Sequence, residues 1–103
     1  MEERRRAQRI EWTPPRSEVT FAADVQVLDI STHGMLLRSK APIAVGSRGS
    51  LGFELTGVPL QMEVEIQRVV PSESDNEDWY CVAARFLSIS KQAQQFIERF
   101  IRS

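Results

Sequence analysis

The sequence predicts an all-β domain, six short strands in a barrel or sandwich, with one helix at its C-terminal end. Three observations predict it. From Val19 onward, short runs rich in Val, Ile, Leu and Phe are separated by turn residues at intervals of about eight to twelve, the spacing of a barrel or sandwich. Met62, Val64 and Ile66 alternate with Glu63, Glu65 and Gln67, which gives that segment one apolar and one polar face. Past Leu87 the period lengthens. Ala93, Phe96, Ile97, Phe100 and Ile101 recur at three and four residues, the stripe of an amphipathic helix.

Taken in order, residues 1–16 carry few apolar side chains and end at Pro14 and Pro15, which cannot continue a helix. They read as a flexible basic arm, and 17–103 as the barrel with its helix. Strands are expected at about Val19 to Ala22, Val25 to Ile30, Met35 to Ser39, Ser50 to Leu55, Gln61 to Val70 and Trp79 to Phe86. Breaks fall at Ala23-Asp24, at Ser31 to Gly34, around Gly46 and Gly49, at Gly57 to Pro59, and in the acidic loop from Pro71 to Asp78. A hairpin around Ala23-Asp24 would bring Arg16 close to the residues opposite Ile30. Ser90 suits the helix N-cap, and a helix laid across one end of the barrel would hide Phe96 and Phe100 in the core.

A length of 103 residues fits one domain, and 42% hydrophobic with 26% charged residues is the mix of a globular protein rather than a disordered or fibrous one. Thirteen Lys and Arg against fourteen Asp and Glu leave a net charge of -1, so bulk charge does not draw the chain to polyanions. The lone Cys81 has no intrachain disulfide partner, no apolar run follows Met1, and the longest apolar stretches fall far short of the roughly 20 residues that span a bilayer. A cytoplasmic location without membrane insertion is the expectation. No nucleophile elbow, phosphate-binding loop or Cys/His cluster at metal spacing occurs, so neither an enzyme nor a metal or other cofactor is expected. The lone His33 reads as a solvated turn residue, Cys81 as a small hydrophobe, and Trp12 either as packing on the barrel or as touching a ligand.

Two features remain. Arg4-Arg5-Arg6-Ala7-Gln8-Arg9 sets four guanidinium groups within six residues of a nearly neutral chain. Each is a planar fork of donors that matches phosphate oxygens or the O6/N7 edge of guanine, although a solvated basic terminus has the same composition. Asp29-Ile30-Ser31-Thr32-His33-Gly34 follows at a strand end. With Leu28 and Ile30 facing the core, Asp29 and Ser31 would point outward together. An ionised Asp accepts the N1–H and amino hydrogens of a guanine, a Ser hydroxyl serves phosphate or base, and Gly34 permits positive φ and a close ligand. An ordinary Asx turn would use the same residues. If the arm leaves the barrel beside Asp29 and Ser31, the two features form a clamp for a guanine nucleotide bearing more than one phosphate.

With these residues the sequence resembles the PilZ domain family, the bacterial receptors for cyclic di-GMP. Arg5 and Arg9 match the family's RxxxR motif, Asp29, Ser31 and Gly34 match [D/N]xSxxG, and twenty residues separate Arg9 from Asp29. The run Gly34-Met35-Leu36-Leu37, the run Val82-Ala83-Ala84-Arg85-Phe86 and the closing helix also resemble the family, so the likeness covers essentially the whole chain. The resemblance implies a six-stranded PilZ-type barrel with a C-terminal helix, and cyclic di-GMP bound by Arg5, Arg9, Asp29, Ser31 and Gly34. In the family the residue before RxxxR influences whether one ligand or a stacked pair is bound, so Arg4 joins the ligand-binding set. The resulting expectation is a receptor that orders its arm on binding and signals in trans to a protein effector that the sequence does not name. The alternative is a PilZ-fold interaction module without ligand binding. A binder of nucleic-acid polymers is disfavoured by the acidic face at Glu63 and Glu65 and by the acidic loop.

Overall fold

A computed structural model describes residues 8–72 and 78–102. Six strands, β1 (Gln8–Thr13), β2 (Phe21–Ile30), β3 (Gly34–Ser39), β4 (Arg48–Leu55), β5 (Val58–Pro71) and β6 (Tyr80–Ser88), close into a barrel in the order β1-β2-β3-β6-β5-β4, and one helix, α1 (Lys91–Arg102), follows. All six pairings are antiparallel. The predicted class holds. Two of its elements differ from the expectation.

The first is the arm. Residues 8–13 are not an arm but a barrel strand, paired to β2 on one side and to β4 on the other. Ile10 and Trp12 alternate with Arg9 and Glu11 and turn into the core, where both are buried, Trp12 stacking on Phe21 at 4.9 Å between ring centroids. Two inward side chains are a faint signal beside a run of arginines. Closing the barrel makes them decisive, because without β1 the edges of β2 and β4 would be unpaired. Residues 1–7, including Arg4 and Arg5, lie outside the described residues, as do 73–77 of the acidic loop.

The second is the hairpin expected at Ala23-Asp24. Both residues lie inside the continuous β2, opposite Ile10 and Arg9, so Val19 and Thr20 precede the strand rather than form one. The chain reverses instead at Pro14-Pro15-Arg16, where the Ser17 amide donates to the Pro14 carbonyl (3.2 Å) and Arg16 takes a φ of 62°. Proline after the first turn residue and a left-handed residue after it make a tight reversal. Arg16 therefore sits at the Thr13 end of β1 and not opposite Ile30. The β4–β5 hairpin turns on Thr56 and Gly57, at φ 49° and 84°, two positive values in succession that match the strand twist.

The core is the set of inward residues from every strand, among them Ile10, Val25, Leu37, Leu51, Met62, Val64, Ile66 and Val82. The β3–β4 connection covers it at one place: Ile43 is buried, while Gly46 donates its amide to the Ile66 carbonyl (2.8 Å) and Ser47 accepts from the Ile66 amide (2.9 Å). The helix begins as expected, the Ser90 hydroxyl accepting the Ala93 amide at 3.0 Å. Its buried anchor, however, is Ile97, with Ala93 one turn earlier. Phe96 is half-buried, and Phe100 and Ile101 are 39% and 47% exposed, so the expectation that both phenylalanines lie in the core is corrected. On a helix face that packs on the core at Ala93 and Ile97, Phe96 falls to the flank.

Candidate functional site

Strand β2 carries a one-residue irregularity: its pairing with β3 passes from Val27↔Leu37 to Asp29↔Leu36, leaving Leu28 unpaired. This bulge builds the site. Val25 is buried and Val27 packs against the core, so an unbroken alternation would have pointed Asp29 inward as well. The extra residue resets the alternation. Asp29 becomes exposed, Ile30 packs on the core, and Leu28, expected inside, is 43% exposed. Asp29 and Ser31 both lie at the surface as expected, but through a bulge rather than through an inward Leu28.

The reversal from β2 to β3 is organised by Ser31. Its amide donates to the Gly34 carbonyl (2.8 Å), and its hydroxyl accepts the His33 and Gly34 amides (3.1 and 3.2 Å) and lies 3.3 Å from the Gly34 carbonyl, as its donor. One donor and two acceptor positions are all a hydroxyl has, so Ser31 is engaged in shaping the turn. Strand β6 holds the turn from below, the Phe86 amide donating to the His33 carbonyl at 2.9 Å. Oδ1 of Asp29 accepts the Ile30 amide at 2.9 Å, which orients the carboxylate and leaves acceptor capacity on its second oxygen.

Gly34 serves a purpose the sequence concealed. Its φ is not positive, so conformational freedom is not what the position requires. A Cβ there would run into the carbonyl oxygen of Ala84 and approach Arg85 Cα to 3.1 Å. Glycine lets β3 lie close against β6 just where the turn begins.

Asp29, Ile30, Ser31, Gly34, Met35 and Leu36 line an open depression of ≈ 200 Å³ whose floor includes Leu36, itself 40% exposed. Leu36 had no part in the expected site; its signal was its place two residues after Gly34. The structure does not bring Arg9 to this depression. Arg9 is exposed on β1 opposite Asp24, five residues from Asp29 along β2, or about 16 Å at a strand rise of roughly 3.3 Å per residue. The direction of β1 matters more: it runs so that its first residue, Gln8, lies opposite Val25, the end of β1 nearer to Asp29.

Among the described residues, no group of three or more His, Cys, Asp or Glu side chains is placed to hold a metal ion, and no helix is long and apolar enough to cross a membrane. His33 is exposed in the turn, and Cys81 is half-buried with a free thiol.

The family model described as PilZ domain matches residues 3–103. Two solved structures of MrkH from K. pneumonia are similar in fold. One, a P2(1) crystal form, has a TM-score of 0.63 at 16% identity over 96% of this chain; the other, described as the apo state, has 0.58 at 15% identity over 94%. The chain spans about half the length of those proteins, 45% and 46%. No curated protein sequence matches it.

Proposed function

This chain belongs to the PilZ domain family, and from that membership we propose that it binds cyclic di-GMP at the β2–β3 reversal, with Arg4, Arg5, Arg9, Asp29, Ser31 and Gly34 as its ligand-binding set. The observation that carries the proposal is the bulge at Leu28, which spends one residue of a barrel strand to turn the Asp29 carboxylate outward beside an apolar depression. A carboxylate with an oxygen to spare accepts the N1–H and amino hydrogens of a guanine, and Leu36 gives the base an apolar surface to lie on. Ser31 and Gly34 contribute by shaping the turn that presents these groups.

A depression of ≈ 200 Å³ is smaller than the roughly 300–1,000 Å³ of pockets that enclose a small ligand. The rest of a dinucleotide needs a second surface, and its phosphates need cations. Arg9 on β1 and the arginines that precede it supply both, as the strand's first residue lies toward the Asp29 end of β2. The chain acts as a binding module, not an enzyme. Ligand draws the residues before β1 over the depression, and the altered surface is what a protein effector reads.

Calorimetric titration with cyclic di-GMP tests the proposal, with GTP and single-stranded RNA as controls. Saturating ligand is expected to raise the melting temperature by at least several degrees. At a hundred times its dissociation constant a ligand adds about 2.7 kcal/mol, and a domain of this size shifts by roughly 4–8 °C per kcal/mol. Neither heat nor a shift would leave the chain as an interaction module. For Arg4 the expected result is a change in count: two stacked ligands bring four phosphate charges and a further guanine face, which a third guanidinium both neutralises and stacks on. Arg4→Leu reduces the stoichiometry from two ligands per chain toward one while a tight first site remains. One ligand per unmodified chain at saturation would sink the stacked pair.

A further inference from the structure

We propose that Arg85 is a further ligand contact at this site and that Glu65 restrains it, so that binding exchanges the Arg85–Glu65 ion pair for an Arg85–phosphate pair. The proposal rests on the reading of the site as one for cyclic di-GMP.

Gly34 on β3 pairs with Arg85 on β6, and Arg85 pairs with Glu65 on β5, so the three form one row across the outside of the barrel. Their sequence neighbours Met35, Ala84, Val64 and Ile66 point inward and are buried. Arg85 thus emerges one strand, about 4.8 Å, from a residue that lines the depression. Gly34, between Arg85 and the β2–β3 turn, adds no side chain to that row. The glycine that close packing against the Ala84 carbonyl demands draws β3 tight against β6, which sets the Arg85 backbone close beside a residue that lines the depression.

Arg85 now donates from Nη2 to Glu65 Oε1 at 2.5 Å, with side chains 54% and 31% exposed. The same carboxylate oxygen accepts Gln67 Nε2 at 3.2 Å. An exposed pair of this kind is held weakly, and it engages one nitrogen of a guanidinium that has five donors. A phosphate oxygen pair satisfies that fork bidentately and carries charge the carboxylate must otherwise be traded for. Swinging Arg85 toward Gly34 makes the exchange. Glu65 opposes it by competing for Arg85.

Titration of cyclic di-GMP into the unmodified chain, Arg85→Ala, Glu65→Gln and the double variant separates these contributions. Arg85→Ala is expected to weaken binding about tenfold, and Glu65→Gln to tighten it about threefold. In the Arg85→Ala background Glu65→Gln is expected to change nothing, since no competition remains. Equal affinity of Arg85→Ala and the unmodified chain would overturn the inference and leave the receptor reading intact. Tightening by Glu65→Gln of the same size with and without Arg85 would overturn it too, as mere long-range repulsion. Absence of any binding by the unmodified chain would end both. Glu65→Gln keeps Arg85 in place, so its result stands even if the alanine variant fails to fold.

Discussion

Gly34→Ala is expected to lower the melting temperature of the ligand-free domain by roughly 10 °C or more. Overpacking costs typically about 1–3 kcal/mol, and this case belongs at the upper end because the obstacle is a backbone carbonyl in a paired strand rather than a side chain that can turn away. Relief requires β3 to move off β6, which strains the hydrogen bonds that Ser31 and the Phe86 amide make to the turn. Ligand binding falls with it, since the turn positions Asp29 beside Leu36. Thermal unfolding without ligand checks the expectation. If the melting temperature holds and only ligand affinity falls, the role of Gly34 is ligand approach and not strand packing.

The second large effect is on affinity alone. Arg5→Ala, Arg9→Ala and Asp29→Ala are each expected to weaken cyclic di-GMP binding at least tenfold, because each removes charge-assisted hydrogen bonds worth roughly 1.5–3 kcal/mol. Arg9 and Asp29 are exposed on the barrel's outside, so their loss should leave ligand-free stability within about 0.5 kcal/mol. Unaltered affinity in all three variants would sink the site. A drop in melting temperature for Arg9→Ala comparable to that of Gly34→Ala would mean that the guanidinium supports β1 and not the ligand.

Much of this was legible in the residues. Alternation at Met62, Val64 and Ile66 announces a half-buried strand whatever surrounds it, and the three-and-four spacing of Ala93 and Ile97 after Ser90 announces a capped helix, because both periods reflect local backbone geometry. The pairing of two arginines with Asp29, Ser31 and Gly34 at a fixed interval points to the family for the same reason: it depends on order along the chain. The register of those residues was not legible. Ala23-Asp24 has the composition of a turn, yet pairing with β1 keeps it in a strand, and that long-range pairing outweighs a weak local preference.

Sequence alone determined the class of fold, the helix and its cap, and which side chains are chemically able to meet a guanine nucleotide, since each of these is a property of residue type and spacing. Only the tertiary structure decided that residues 8–13 close the barrel, that the bulge at Leu28 turns Asp29 out, and that Gly34 yields to the Ala84 carbonyl while bringing Arg85 beside the depression. Those outcomes depend on contacts between strands far apart in the chain. A barrel must pair every edge and fill one interior at once, so the face each residue presents is set by the closed sheet as a whole.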